Sequence, residues 1–348
     1  MKNIPATLYT SSFYLKNRIF DMDDEVSNRD NCSYGFYLMK KTFSENGINL
    51  STQDINPPHK SRFTLFLEAP IKLPDRRNNN YVILFEPAVR RPFNWILSYH
   101  IHFKKIFTWN DDVIDDARAR YIIDDNKYIK ICYPNRIPRK IVFPTMRKKL
   151  LTMIVGNKAS SHPNELYTER LKIINWFEKN HPDVFDFYGF NWNEYKFHGR
   201  FAKLNRFKLL TNIFKSISPP RHSSYKGEIN NKKDTLMKYN YAICFENSKN
   251  TNGYITEKIF DCFFSGCIPI YWGAPNINDY VPDKTYINMN DFQDYQTLFN
   301  YLINISESEY DSYINEIKKY LKSDKINQFS DVSFSDIITS TIISDLNL

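Results

Sequence analysis

A threonine, a glutamate and a lysine stand together where a segment with helical spacing of apolar residues begins. If Thr256 caps this helix, Glu257 and Lys258 occupy its first turn, beside backbone N–H groups that have no partner within the helix. Such a helix end favours anions, and a lysine there opposes the helix dipole unless an anion such as a diphosphate lies nearby. The simpler alternative, which the local pattern alone favours, is a dipole-compatible glutamate beside a solvated lysine.

Two other charged residues interrupt apolar patterns. Arg170 shares the apolar stripe of a predicted helix with Ile173 and Phe177, where a guanidinium needs a partner such as a phosphate. Alternatively, its stem packs against the core while its head reaches water. Glu86 ends the predicted strand 81–85, which suits a general base but is also an ordinary strand terminus.

Other familiar chemical motifs are missing from the sequence. It contains no glycine-rich dinucleotide or phosphate-loop pattern, and no zinc-protease or nucleophile-elbow pattern. Asp21 and Asp23 form the one D-x-D, in a polar stretch that we predict to lie at the surface, so no metal–diphosphate site is expected. Five scattered cysteines without a C-x-x-C pattern predict free thiols, buried where they lie in apolar runs.

Bulk composition limits the class of protein. The chain has 348 residues, 42% of them hydrophobic, with a net charge of +8 that indicates either an anionic partner or a mild surface excess. The 27 Phe and 24 Tyr lie mainly in apolar runs, not interleaved with basic residues as in nucleic-acid binders. With no apolar run near membrane-spanning length and no apolar signal core, we expect a cytoplasmic protein, and peripheral association with the inner face of the membrane stays open.

The chain divides into two predicted α/β domains. Around residues 134–149 the composition shifts to Pro, Arg and Lys with little periodicity, which is typical of a linker, so we predict domains at residues 1–145 and 146–348. In the second domain, Ser161 and Pro163 predict the start of a helix. The predicted strands are residues 6–13, 48–50, 63–67, 81–85, 106–109, 150–155, 185–188, 239–245 and 267–272, and the predicted helices are residues 34–43, 161–179 and 256–264.

The most organised segment is residues 239–272. A buried strand, a polar loop, a helix that Gly266 is placed to end and a second buried strand predict a βαβ unit. In such a unit the strands are parallel and ligand-binding loops lie at their carboxyl ends.

Three blocks of this unit carry a specific resemblance. They are Phe245-Glu246-Asn247-Ser248, Tyr254-Ile255-Thr256-Glu257-Lys258 and Pro269-Ile270-Tyr271-Trp272-Gly273. In order and spacing they resemble the α-1,3/4-fucosyltransferase family of bacterial type. The resemblance extends over residues 150–340, where Arg170 takes the place of the family's phosphate-binding arginine and residues 329–334 resemble its closing segment. It is faint over the first 150 residues.

The resemblance implies a GT-B architecture, with two Rossmann-like domains facing a cleft. Residues 1–145 would bind the acceptor, and residues 146–348, with a closing C-terminal helix, would bind GDP-fucose. The implied donor-binding residues are Arg170, Asn247, Tyr254, Thr256, Glu257 and Lys258. Arg170 and Lys258 would hold the diphosphate, Glu257 would stabilise the oxocarbenium-like transition state, and Glu86 would be the general base.

The implied reaction is inverting transfer of fucose to O3 or O4 of N-acetylglucosamine or glucose in an oligosaccharide or lipid-linked glycan. Bacterial surface polysaccharide synthesis, of lipopolysaccharide O-antigen for example, and protein glycosylation are the expected contexts. No metal is required, although Mn²⁺ or Mg²⁺ can assist product release. The alternatives are a GT-B transferase for another GDP-sugar and a non-catalytic glycan-binding relative.

Overall fold

The apolar runs become two fully parallel sheets in the computed structural model, which describes residues 3–120, 126–144 and 149–347. Strands buried on both faces of a parallel sheet need apolar residues at successive positions, which explains their continuous apolar sequences. The strands are β1 (Ile4–Tyr9), β2 (Ile48–Thr52), β3 (Thr64–Leu67), β4 (Asn80–Leu84), β5 (Lys105–Thr108), β6 (Tyr128–Lys130), β7 (Lys149–Ile154), β8 (Phe185–Tyr188), β9 (Tyr239–Phe245), β10 (Ile268–Trp272) and β11 (Ile287–Asn288).

Some of the strands are connected by α-helices, and the last three helices follow the last strand. The helices are α1 (Tyr34–Glu45), α2 (Leu97–His100), α3 (Asp111–Arg120), α4 (Tyr167–Asn180), α5 (Lys208–Ile217), α6 (Lys232–Leu236), α7 (Glu257–Phe264), α8 (Tyr295–Asn304), α9 (Glu307–Leu321) and α10 (Asp331–Leu346). The first sheet has the order β2-β1-β3-β4-β5-β6 and the second β11-β10-β9-β7-β8. The predicted α/β class is thereby confirmed.

The predicted βαβ unit is also confirmed. β9 and β10 pair in parallel, with Tyr241 opposite Ile268, and α7 connects them. Gly266 ends α7 with φ of +61°, a left-handed conformation that glycine adopts without steric cost. The N–H of Cys267 then donates to the Cys262 carbonyl at 2.9 Å, which closes the helix end as a Schellman-type cap.

The start of α4 differs from the prediction. Ser161 and Pro163 do not open the helix, which begins at Tyr167 with Leu166 at the N-cap position. The backbone N–H of Leu166 donates to the Asn247 carbonyl at 3.2 Å. The first turn is capped by Glu165, whose carboxylate accepts from the Thr168 N–H at 2.9 Å, and not by Ser161 as the sequence indicated.

The division of the chain also differs from the predicted one. Met1–Ile137 and Asp324–Leu348 form the first unit, and Pro138–Ser323 forms the second. The sequence had assigned the C-terminal helix to the second domain. The predicted boundary at residue 145 falls within residues 145–148, which lie outside the described part of the chain.

Aromatic packing explains why α10 belongs to the first unit. The ring centroid of Phe334 lies 5.5 Å from that of Phe36 in an edge-on arrangement and 5.5 Å from that of Phe85 in a stacked one. The backbone N–H of Asp331 also donates to the Asn135 carbonyl at 3.1 Å. Buried aromatic pairs of this kind stabilise a fold beyond the area that they bury, so the assignment of this helix to the second domain is wrong.

Two further expectations from the sequence concern the state of the cysteines and membrane-spanning helices. Cys244, Cys262 and Cys267 are buried free thiols, as the sequence predicts; Cys132 is also buried and free, and Cys32 is exposed. No helix in the described part of the chain has the length and apolar character needed to span a bilayer.

Asp331 should make the stability of the protein depend on pH. Burial raises the pKa of this carboxyl to about 7, against the opposing effect of Arg136, and its Oδ2 has no hydrogen-bond partner among the described residues. Because the folded state holds this proton more tightly than the unfolded state, the free energy of unfolding should fall as pH rises from about 4 to about 7. Asp331→Asn should remove this fall and stabilise the protein at pH 8 by up to about 4 kcal/mol.

Urea unfolding of the full chain at about pH 5 and about pH 8 measures this difference. Asp336→Asn, at an exposed position of the same helix, is the matched control. An unchanged pH dependence in Asp331→Asn would show that Asp331 does not hold the proton.

Candidate active site

A buried glutamate joins the carboxyl ends of two strands in the second unit. Glu246 follows β9, is 0% exposed, and its backbone N–H donates to the Trp272 carbonyl at the end of β10, at 2.8 Å. Its carboxylate accepts hydrogen bonds from the Thr256 N–H at 2.8 Å and from the Thr256 hydroxyl at 2.8 Å. The start of α7 is thus fixed to the end of β9.

Lys258 completes this cluster. Its Nζ donates to Glu246 Oε2 at 3.0 Å and to the Thr256 hydroxyl at 2.8 Å, and lies 3.6 Å from Glu257 Oε1. Thr256 is the N-cap residue of α7, but its side chain makes no capping hydrogen bond because it is engaged with Glu246. The charged lysine that the sequence placed in the first turn is therefore held by two carboxylates.

The charges of the cluster reinforce one another. Burial acts to raise the pKa of Glu257, but Lys258 and Lys232 hold it well below its usual range. Burial acts to lower the pKa of Lys258, but Glu246 and Glu257 raise it. Glu257 and Lys258 are consequently both charged at neutral pH.

Arg170 lies on the buried face of α4, as its place on the apolar stripe predicts. It is 4% exposed, and its Nη2 donates to the Phe245 carbonyl at 2.6 Å and to Asn247 Oδ1 at 3.1 Å. Its Nε has no hydrogen-bond partner, and Arg170 forms no salt bridge with another residue in the described part of the chain. Nearby Glu246 and Glu257 favour the charged form of this buried guanidinium, and its unpaired Nε is suited to hydrogen bonding with an anionic ligand.

Asn247 and Tyr254 extend the network from Arg170. The Asn247 amide donates to the Tyr254 hydroxyl at 3.1 Å, and Tyr254 is fully buried. The Tyr271 hydroxyl donates to the Tyr254 carbonyl at 3.4 Å and accepts from the Ala274 N–H at 3.0 Å. Residues of all three sequence blocks therefore contact one another.

Gly273 has a packing role in this arrangement. A Cβ at this position would lie 2.4 Å from the Tyr271 hydroxyl and 2.6 Å from Glu246 Cγ. These are closer approaches than any real Cβ makes, so even alanine would displace Glu246 or Tyr271. Gly273, which ends the third sequence block, thus leaves the space that Glu246 of the first block occupies.

The first unit holds the backbone of Glu86 rigidly. Its N–H donates to Glu68 Oε1 at 3.1 Å, and its carbonyl accepts from the Asn94 amide at 3.0 Å and from Trp95 Nε1 at 3.2 Å. Its carboxylate makes only a long ion pair, 3.8 Å from Arg90 Nε, and Oε2 has no hydrogen-bond partner among the described residues. A fixed backbone carrying a nearly unengaged carboxylate suits a general base.

Glu68 is the second carboxyl of this group. It follows β3 in a left-handed conformation, with φ of +71°, and it is buried against the Asn94 amide, which donates to Oε2. Burial raises the pKa of Glu68 to about 7, and the nearby charge of Glu86 adds to this effect. Strained, buried groups of this kind occur often at functional sites.

The structure brings the predicted donor-binding residues together in one unit. Arg170, Asn247 and Tyr254 form one hydrogen-bonded chain, while Thr256 and Lys258 donate to Glu246 and Glu257 lies beside Lys258. Sequence reasoning missed Glu246 as a site residue, although it directly follows a buried strand, and considered Glu68 only as an alternative to Glu86 as the base. Among the described residues no group of three or more His, Cys, Asp or Glu side chains is placed to hold a metal ion.

Comparison with solved structures defines the class. A crystal structure of an alpha1,3-fucosyltransferase with GDP-fucose aligns with 99% of this chain and 90% of its own, with a TM-score of 0.52 and 15% identity. At this identity the likeness shows the fold alone. Two parallel α/β sheets with this neighbour make the chain a protein of the GT-B glycosyltransferase fold.

The family follows from the sequence comparison. Residues 145–335, more than half of the chain, match the C-terminal part of glycosyltransferase family 10 (fucosyltransferase). The chain therefore belongs to glycosyltransferase family 10, and the resemblance found in the sequence is confirmed.

Curated relatives match over short segments. The alpha-(1,3)-fucosyltransferase FucT of Helicobacter pylori is 39% identical over 74 residues, which are 21% of this chain and 15% of the relative. Alpha-(1,3)-fucosyltransferase B of Drosophila melanogaster is 41% identical over 81 residues, which are 22% and 18% of the two chains. The matches thus span less than a fifth of either relative.

Proposed function

We propose that this protein transfers L-fucose from GDP-β-L-fucose to a hydroxyl of a glycan acceptor with inversion at the anomeric carbon. The proposed acceptor position is O3 or O4 of N-acetylglucosamine or glucose in a bacterial surface polysaccharide. Membership of the fucosyltransferase family and the GDP-fucose bound in a neighbour of the same fold support this donor.

The observation that carries the proposal is the buried guanidinium of Arg170, whose Nε has no hydrogen-bond partner among the described residues. A guanidinium that is 4% exposed and has an unpaired Nε next to a fixed loop needs an anionic ligand. A diphosphate matches it because phosphate oxygens accept two parallel hydrogen bonds from one guanidinium. GDP would supply this group.

The neighbouring residues then acquire distinct roles. Lys258, which Glu246 and Glu257 keep charged, would neutralise the second phosphate of departing GDP. Glu257, ionised at neutral pH, would stabilise positive charge that develops on the fucose ring. Glu246 has no solvent-exposed surface, so its role would be to position Thr256 and Lys258.

Glu86 is the proposed base. It would accept the proton of the acceptor hydroxyl as the oxygen attacks the anomeric carbon of fucose and the bond from that carbon to the GDP oxygen breaks. GDP then leaves with the bonding electrons, and the proton stays on Glu86 until water removes it. Glu68, at the Glu86 N–H, would hold the backbone of the base in place.

The decisive experiment incubates the full chain with GDP-fucose and an array of N-acetyllactosamine, lacto-N-biose and O-antigen fragments. Mass spectrometry should show the mass gain of one deoxyhexose on at least one acceptor. Parallel reactions with GDP-mannose test for a transferase that uses another GDP-sugar. Binding of glycans without turnover of either donor would favour the non-catalytic alternative.

The transfer should proceed without a divalent metal. Arg170 and Lys258 can neutralise the leaving diphosphate, so the reaction does not depend on Mn²⁺ or Mg²⁺ for this purpose. After prolonged dialysis against EDTA, the initial rate should remain within about twofold of the untreated rate. Loss of turnover that Mn²⁺ restores would show that a metal performs this neutralisation.

A further inference from the structure

A strongly basic segment leaves the second sheet at the carboxyl end of β8. Residues 195–227, called here the basic segment, contain eight Lys and Arg and no Asp or Glu. The charge of this segment, +8, equals the net charge of the whole chain. The basic residues are Lys196, Arg200, Lys203, Arg206, Lys208, Lys215, Arg221 and Lys226.

The same segment exposes an apolar helix face. Along α5, Leu209, Ile213 and Ile217 recur at intervals of four residues and are 75%, 46% and 75% exposed. Phe201 and Phe207, just before the helix, are about half exposed as well. Residues four apart lie on one side of a helix, so these side chains form one apolar stripe in contact with water.

Little in the fold stabilises this helix. None of its ten residues is buried, and its packing on the unit includes Phe214, whose ring centroid lies 5.0 Å from that of Phe197 and 5.4 Å from that of Tyr195. A helix this short is marginal in water unless its apolar face is covered. The stripe therefore indicates a surface that is covered when the protein works.

The basic side chains around α5 indicate which kind of partner covers the apolar stripe. Arg200, Lys203, Arg206 and Lys208 form no salt bridge with another described residue, and Lys215 makes an exposed one with Glu194. Unpaired basic side chains beside an apolar stripe are typical of helices that lie in the interface of an anionic membrane, with the apolar face among the acyl chains. A protein partner would need a dense acidic surface around an apolar groove. An anionic membrane offers both properties without such a specific arrangement.

We propose that α5 and its flanking basic residues bind the surface of a membrane that contains anionic lipids. The segment starts at the carboxyl edge of the second sheet, which is also the edge that carries Glu246 and Asn247. Binding there brings the unit that holds the candidate donor site to the lipid surface, where lipid-linked acceptors are found. The proposal concerns membrane binding itself and does not depend on the fucosyltransferase activity.

Cosedimentation of the full chain with lipid vesicles tests the proposal. The protein should pellet with vesicles of phosphatidylcholine and phosphatidylglycerol, pellet poorly with phosphatidylcholine alone, and be released by salt. A stripe variant should bind at least about tenfold more weakly, because apolar burial and charge both contribute. This variant combines Leu209→Ser, Ile213→Ser and Ile217→Ser.

Two further variants separate the contributions. A charge variant, with Arg200, Lys203, Arg206 and Lys208 all changed to Gln, should also lose binding to anionic vesicles. A control variant with Ile71→Ser, Ile101→Ser and Ile303→Ser changes exposed apolar residues outside the basic segment and should bind like the unaltered chain. Circular dichroism and GDP affinity should be the same for all of them, which shows that the fold is kept.

Three outcomes would overturn the proposal. Unchanged vesicle binding by the stripe variant would show that the apolar face is not inserted. If only the charge variant lost binding to anionic vesicles, the segment would be a general site for polyanions and not a membrane-binding surface. A dimer that the stripe variant converts to monomer in the absence of lipid would show that a second copy of the chain covers the face.

Discussion

Arg170→Met should remove most of the affinity for GDP while leaving the ligand-free protein at least as stable as before. Charge-assisted hydrogen bonds to phosphate contribute about 1.5–3 kcal/mol each, so losing two of them should weaken binding on the order of 100-fold or more. The folded protein loses the Nη2 bonds to the Phe245 carbonyl and Asn247. It also loses a guanidinium that is buried without a salt-bridge partner among the described residues, and burying such a charge is itself costly.

Isothermal titration calorimetry with GDP and urea unfolding of the same samples test both parts. Arg170→Lys keeps the charge but not the planar fork, so it should bind GDP with intermediate affinity. Lys172→Met, an exposed cation on the same helix, is the matched control and should bind normally. If Arg170→Met were strongly destabilised and its residual folded fraction bound GDP normally, Arg170 would be a structural residue.

Glu86→Gln should lower kcat by roughly two to four orders of magnitude, the usual contribution of a general base. Donor affinity should stay nearly unchanged, because Glu86 belongs to the first unit and the proposed donor-binding residues to the second. The amide keeps the size of the side chain, and the hydrogen bonds that fix Glu86 involve its backbone, so folding should be unaffected.

Steady-state kinetics with donor and acceptor varied separately measure this effect. Glu45→Gln, at an exposed position in the first unit, is the control. Glu257→Gln should instead impair both transfer and slow donor hydrolysis, since its proposed role is towards fucose. Near-normal transfer by Glu86→Gln would move the base to Glu68, Asp111 or Asp112, the other carboxylates that follow strands of the first unit.

Sequence patterns predicted β8, β9 and β10 of the second sheet well because neighbouring residues determine where these strands begin and end. β8 and β9 begin and end at the predicted residues, and β10 begins one residue later than predicted. Each is a continuous apolar run with a turn residue or polar loop after it, so burial and chain direction both follow from neighbouring residues. The three blocks then placed Asn247, Thr256 and Lys258 close together for the same reason.

The parts that sequence reasoning missed depend on distant contacts. The residue before α4, Leu166, is tied to the Asn247 carbonyl about eighty residues away, and α10 is held by Phe36 and Phe85 of the first unit. Glu246 was read as the first residue of a polar loop, because nothing local reveals that Thr256 and Lys258 surround its carboxylate. Tertiary partners of this kind override local signals.

The return of α10 to the first unit has a consequence for synthesis on the ribosome. Residues 138–323 form the second unit and are continuous in sequence, so all of them emerge before α10 is translated. The first unit, in contrast, lacks Phe334 against Phe36 and Phe85 until α10 is translated. The second unit can therefore finish folding first, although domains usually mature from the N-terminus onwards. A nascent chain stalled before α10 would carry an exposed aromatic surface on its first unit, which is a natural binding site for a chaperone.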